Sequence, residues 1–100
     1  MRKAIIGLLG LMLALGLGAA QAQEPSGEDL VERLGCRGCH SLDGEGGDRG
    51  PAWDGVGQRL SPEDIRDQIV SPRGLMPNFA HLKPGELDAL VEYLSGLQGN

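Results

Sequence analysis

The pentapeptide Cys36-Arg37-Gly38-Cys39-His40 decides how this sequence is interpreted. Its two thiols are separated by two residues, and a histidine follows the second thiol directly. Thiols at this spacing can add to the two vinyl groups of one haem, and the next residue then places an imidazole over the iron from the same side. We therefore predict that Cys36 and Cys39 hold one haem covalently and that His40 is a ligand of its iron.

Cysteines two residues apart also occur in other kinds of site. The same spacing is found in redox disulfides and in one half of a zinc site. The chain contains two cysteines in all, so no second pair can complete a zinc site, and no βαβ pattern surrounds the motif as in a thioredoxin-like protein. A structural disulfide between Cys36 and Cys39 would close so small a loop that it would stabilise the fold weakly. The haem interpretation is therefore favoured.

A haem that transfers electrons needs a second axial ligand on the far side of its iron. Beyond the N-terminal stretch the sequence offers one methionine, Met76, and one further histidine, His81. Met76 lies beside Pro77 in a loop, away from any apolar stripe, which suits a ligand better than a packing residue. A neutral thioether raises the reduction potential relative to a second imidazole. We predict Met76 as the second ligand; an open or His81-ligated distal side would instead give a gas-binding or peroxidatic haem protein.

Three segments have the pattern of amphipathic helices, and two loops rich in glycine and proline separate them. The helices are expected from Ser26 to Gly35, from Ser61-Pro62 to Ser71-Pro72, and from Pro84 to Leu97. Lys83 is a poor N-cap for the third helix. The loops, residues 43–57 and 71–83, contain no apolar run of period two. The predicted fold class is therefore all-α.

The N-terminus has the features of an export signal. Arg2 and Lys3 precede an apolar stretch over residues 4–17, and Ala20-Gln21-Ala22 offers the small-x-small pattern of a cleavage site. We predict a signal peptide over residues 1–22, a monohaem domain over residues 23–100, and a periplasmic location. Once the signal peptide is removed, no stable membrane insertion is expected.

The exported domain is acidic. The chain has a net charge of −5, and removing Arg2 and Lys3 with the leader leaves −7 on residues 23–100. Such a domain repels nucleic acid and is attracted to basic surfaces. The expected partners are redox proteins with basic docking surfaces, no nucleic acid is expected, and the domain is expected to be a monomer.

The order of these features resembles the class I cytochromes c, in particular the small bacterial monohaem type. The resemblance implies a small cytochrome c fold, in which three or more helices pack around one covalently bound haem. The resemblance covers essentially all of residues 23–100. Its most specific parts are Cys36-Arg37-Gly38-Cys39-His40 and Met76-Pro77; Gly50-Pro51 and a long amphipathic C-terminal helix support it. Val31 departs from the family pattern, which commonly has an aromatic residue at this position, so we expect looser packing against the C-terminal helix.

The resemblance implies a role for each matching residue. Cys36 and Cys39 would form the thioethers, His40 would be the proximal ligand and Met76 the distal ligand. The carbonyl of Pro51 would accept a hydrogen bond from the other ring nitrogen of His40. Further roles implied at matching positions are Trp53 against the haem edge, Arg59 near a propionate, and Asn78 as a donor to the methionine sulfur. The expected function is that of a single-electron carrier and not an enzyme; the alternative is a haem subunit or an open haem protein.

Overall fold

The structure, a computed structural model, describes residues 24–99, and the predicted signal peptide lies outside them. The elements in chain order are α1 (Gly27–Arg33), a 3-10 turn (Cys36–Gly38), β1 (Ser41–Leu42), β2 (Glu45–Gly46), α2 (Val56–Arg59), α3 (Pro62–Val70) and α4 (Pro84–Ser95). Helices therefore dominate, as the sequence predicts. No helix within residues 24–99 is long and apolar enough to cross a membrane.

The starts of α1 and α3 are fixed by serine caps. The Ser26 hydroxyl accepts a hydrogen bond from the amide of Asp29 at 3.0 Å, and the Asp29 carboxylate accepts one from the amide of Ser26 at 3.4 Å. The Ser61 hydroxyl accepts from the amide of Asp64 at 3.1 Å, with Pro62 at the first helical position. Each cap gives a partner to a backbone donor that the first turn leaves free. Both predicted helix starts are confirmed.

The start of α4 has one of the two hydrogen bonds of a capping box. Lys83 is the N-cap residue, and its amide donates to the Glu86 carboxylate at 3.0 Å. A lysine side chain has no acceptor, so it returns no hydrogen bond to the amide of Glu86. The predicted weak cap is confirmed, although Glu86 supplies half of a capping box.

The core lies where α1 and α3 pack on α4. Its most buried side chains are Leu30 and Val31 of α1, at 2 % and 1 % exposure, and Leu90 of α4, at 2 %. At Gly27 a methyl group would overlap the carbonyl oxygen of Ala89 and Cβ of Tyr93, so the α1 backbone lies directly on α4. Glycine at position 27 lets the two helices approach closely, and the looser crossing expected from Val31 stays a prediction.

The all-α class needs a correction in the segment after the cysteines. β1 and β2 form a small antiparallel hairpin in which Ser41 pairs with Gly46 and Leu42 with Glu45. At the turn, Asp43 and Gly44 have φ of 55° and 84°, the left-handed pair that a tight hairpin requires. The fold is mostly helical with this two-stranded sheet, and α2 occupies the end of a segment predicted to be a loop.

Candidate haem-binding site

The cysteine motif forms a compact turn at the end of α1. Gly35 has a φ of 75°, a left-handed conformation that redirects the chain into the 3-10 turn. The amides of Cys39 and His40 both donate to the carbonyl of Cys36, at 3.2 and 3.1 Å. The turn therefore holds both thiols and the imidazole on one short, hydrogen-bonded segment. Both cysteines are free thiols, Cys36 half-buried and Cys39 exposed.

Burial raises the pKa of the Cys36 thiol above its ordinary value, although a backbone hydrogen bond partly opposes this effect. Cysteines that attack disulfides have a lowered pKa, because the thiolate is the nucleophile. The pKa of Cys36 is shifted in the opposite direction. This observation argues against redox-disulfide chemistry at the motif.

The hairpin braces the motif from the side. The Arg37 guanidinium donates to the carbonyl of Glu45 at 2.9 Å, and the amide of Gly47 donates to the carbonyl of Arg37 at 2.9 Å. A methyl group at Gly47 would overlap the backbone of Gly38. These contacts hold the backbone of the two residues between the cysteines.

The orientation of His40 is set by Pro51, as the sequence predicts. Nδ1 of His40 lies 2.8 Å from the carbonyl oxygen of Pro51. A carbonyl oxygen can only accept, so Nδ1 carries the proton and donates this bond. The lone pair of the imidazole is then on Nε2, the atom through which His40 would bind iron. Such a bond also makes the imidazole a stronger electron donor.

Two further residues confine the His40 ring. A Cβ at Gly50 would lie 2.6 Å from Cε1 of His40, so the glycine backbone packs directly against the imidazole. The indole of Trp53 stacks on the same ring, with 5.0 Å between centroids and 19° between planes. Backbone hydrogen bonds hold this loop in place: the amide of Gly50 donates to Cys39 and that of Trp53 to Ser41, both at 2.8 Å.

Trp53 and Arg59 belong to one hydrogen-bonded unit. Trp53 is buried at 7 % exposure, and the Arg59 guanidinium donates to the carbonyls of the residues on either side of it, Asp54 at 2.6 Å and Ala52 at 3.0 Å. Arg59 thus holds the backbone around the indole. Contact of Trp53 with a haem edge and of Arg59 with a propionate stay predictions.

Met76 lies in a loop that is tied to the end of α3. The amide of Phe79 donates to the carbonyl of Ile69 at 2.9 Å, which closes the loop around Met76. Met76 is half-buried and packs beside the core, and its sulfur lies 3.7 Å from Nε2 of Gln68. His81 is exposed, with its ring 6.1 Å from that of Phe79.

Asn78 has a different partner from the one predicted. Its side-chain oxygen accepts a hydrogen bond from the amide of Ala80 at 3.0 Å, which stabilises the turn after Met76. The donor that contacts the sulfur is Gln68. Sequence reasoning missed Gln68, but a signal was present: it lies three residues after Ile65, on the apolar face of α3.

The residues around the motif fit a covalently held haem. Two free thiols share one turn, and the histidine beside them has its Nδ1 bonded and its Nε2 lone pair available. The thioether of Met76, in a loop closed by the bond between Phe79 and Ile69, is a ligand of a kind that haem iron accepts. Fold and site together define a cytochrome c domain, a class that carries out haem-based electron transfer.

Comparison with known proteins gives the family. Residues 22–94 match the family model described as cytochrome c oxidase, cbb3-type, subunit III. The chain belongs to this family of cytochrome c domains.

Two curated relatives are similar to the chain over most of its length. One is the dihydro-heme d1 dehydrogenase of Pseudomonas aeruginosa, 41 % identical over 91 residues that cover 87 % of this chain and 18 % of the relative. The other is cytochrome c oxidase subunit 2 of Alkalihalophilus pseudofirmus, 27 % identical over 99 residues that cover 80 % of this chain and 29 % of the relative. The chain thus spans less than a third of either relative. No solved structure matches it.

Proposed function

We propose that this chain is a periplasmic carrier of single electrons and not an enzyme. In this proposal Cys36 and Cys39 hold one haem through thioether bonds, with His40 and Met76 as its axial ligands. The observation that supports it is the 2.8 Å hydrogen bond from Nδ1 of His40 to the carbonyl of Pro51. This bond leaves the lone pair of Nε2 free to bind the iron of a haem attached to the same turn.

When bound, the haem supplies an iron that gains or loses one electron. The chain's own contribution is to keep the ligands in place while the charge on the iron changes. Pro51 and Gly50 hold His40 by a hydrogen bond and by direct packing, and the bond between Phe79 and Ile69 closes the loop of Met76. A rigid ligand set changes little between oxidation states, which favours fast electron transfer.

The proposed partners are redox proteins with basic docking surfaces. The net charge of −7 on residues 23–100, after loss of Arg2 and Lys3 from a chain of −5, supports attraction to such surfaces. Because that attraction acts over a distance of about 10 Å at 0.1 M salt, the rate of electron exchange with a basic partner should fall as salt is added. The domain itself is proposed to be a monomer.

A second candidate function is that of a haem subunit or module within a larger redox enzyme. Both curated relatives favour it, since one is a cytochrome c oxidase subunit and the other a dehydrogenase, and each is more than three times as long as the matching segment. Gel filtration of the native extract separates the two candidates. A carrier elutes at the size of the free domain, and a subunit elutes with its partners.

The intact mass of the protein secreted by a host that matures c-type cytochromes tests the cofactor and the leader together. The expected mass is that of residues 23–100 plus one haem. The bare polypeptide mass would refute covalent attachment of the haem. The mass of the full chain plus one haem would refute only the cleavage after Ala22.

The optical spectrum tests the axial ligands. A ferric haem bound by a methionine has a weak sulfur-to-iron band, which an open or bis-histidine iron lacks. The band should be present in the native protein, lost in Met76→Leu, and retained in the matched control His81→Leu. Met76→His should lower the reduction potential strongly, since a second imidazole favours ferric iron. An unchanged potential would remove Met76 from the coordination sphere.

A further inference from the structure

One amide side chain lies on the apolar face of α3. Gln68 follows Ile65 by three residues and precedes Ile69, and both isoleucines are buried, at 3 % and 5 % exposure. Side-chain amides that lose contact with water on folding are usually hydrogen-bonded. The partner is the sulfur of Met76, 3.7 Å from Nε2 of Gln68, a distance at which an N–H group donates to a thioether.

The contact is built into the loop closure. The hydrogen bond from the amide of Phe79 to the carbonyl of Ile69 joins the residue after Gln68 to a point three residues beyond Met76. Both partners are therefore held by the same short, closed segment, and Met76 also packs beside the core. Gln68 and Met76 therefore lie on the same closed segment of the chain.

We propose that Gln68 is a positioning residue that holds the Met76 sulfur by one of its two lone pairs and directs the other to the iron. This inference rests on the proposed ligation by Met76. A thioether sulfur with two lone pairs can accept one hydrogen bond and still bind a metal through the other. The amide of Gln68 fixes which lone pair is used, so the loop presents the sulfur in one orientation.

Competition between Met76 and an added neutral ligand measures this effect. Imidazole displaces a methionine from ferric haem, and both ligands are uncharged. A substitution that changes the charge near the iron therefore affects the Met76-bound and the imidazole-bound forms alike. Loss of one hydrogen bond of ordinary strength should weaken the Met76-bound form about two- to tenfold relative to the imidazole-bound form. The imidazole concentration at half-displacement should fall by that factor.

Two variants of Gln68 remove the donor in different ways. Gln68→Leu replaces the amide by an apolar group, and Gln68→Glu keeps its shape but accepts only when ionised. Titration of the haem-loaded variants with imidazole, followed by the sulfur-to-iron band, should show half-displacement at about two- to tenfold lower concentration in both. Gln58→Leu, the same change at an exposed position, should titrate like the native protein.

The outcomes separate this inference from the proposed function. A native protein without the sulfur-to-iron band refutes ligation by Met76 itself. A native protein with the band, whose Gln68 variants have a lower denaturation midpoint but the native imidazole titration, shows a merely structural role and overturns the inference.

Discussion

Gly50→Ala should disturb the His40 ring directly, because the Gly50 backbone packs against the imidazole. The new Cβ would lie 2.6 Å from Cε1 and 2.9 Å from Nδ1 of His40, whereas ordinary contact begins at 3.4 Å. The ring would have to move by about 0.8 Å, the difference between 2.6 and 3.4 Å, and Trp53 stacked on it limits this movement. Overpacking costs about 1–3 kcal/mol, and weakening the bond to Pro51 costs about 0.5–1.5 kcal/mol.

The free energy of unfolding of the haem-loaded protein should therefore fall by about 2–4 kcal/mol. The reduction potential should rise, because an imidazole with a weakened Nδ1 bond donates less to ferric iron. A difference of ~0.5–1 kcal/mol between the oxidation states corresponds to about 20–45 mV, at 59 mV for each factor of ten. Denaturant titration and redox titration measure the two quantities.

Gly38→Ala is the matched control for this experiment. Gly38 lies inside the cysteine motif, but a Cβ built there has no neighbour within 4 Å. Its unfolding free energy should stay within about 0.5 kcal/mol of the native value, and its potential should not change. If Gly50→Ala matched Gly38→Ala in both measurements, the packing of Gly50 on His40 would not be what orients the ligand.

Three further changes test the packing and the caps, each by denaturant titration of the haem-loaded protein. Gly27→Ala should lower the free energy of unfolding by about 1–2 kcal/mol, because its methyl group overlaps α4. In the control Gly85→Ala the new Cβ meets only a flexible carboxylate, so the free energy of unfolding should stay equal or rise. Equal losses in the two variants would refute the close crossing of α1 and α4. Lys83→Ser should raise it by about 0.5–1 kcal/mol by giving the amide of Glu86 an acceptor, and an unchanged midpoint would place the cap elsewhere. In the folded protein, burial raises the pKa of the Tyr93 hydroxyl above its ordinary value of 10. As the pH rises past 10, this tyrosine ionises first in the unfolded chain, so the free energy of unfolding should fall. Tyr93→Phe should remove part of that fall, and identical pH profiles of the two proteins would contradict the pKa shift.

The features that could be predicted depend on short stretches of sequence. The serine caps at Ser26 and Ser61 act within three residues, so the sequence contains all that is needed to place them. The bond between His40 and Pro51 was predicted from the family resemblance, and the structure confirms the contact. The cysteine motif spans five residues, so its spacing alone is enough to predict a haem attachment site.

The features that were missed depend on contacts between distant or very short segments. Nothing near Gly27 in sequence indicates that it lies against α4, some sixty residues later. The strands of the hairpin are two residues long, too short for an alternating pattern, although Asp43-Gly44 is a turn pair typical of tight hairpins. The contact between Gln68 and the sulfur of Met76 could not be predicted, because it depends on the position of the Met76 loop, which only the structure supplies.

Trp53 is the only tryptophan of the chain, and its indole stacks on the imidazole of His40. All tryptophan fluorescence of the protein therefore originates beside His40. A haem attached to that turn, as proposed, would absorb at the wavelengths at which an indole emits, so it would quench the signal while the ring pair stays together. The recovery of emission during chemical denaturation is thus a label-free record of when the His40 side of the site comes apart.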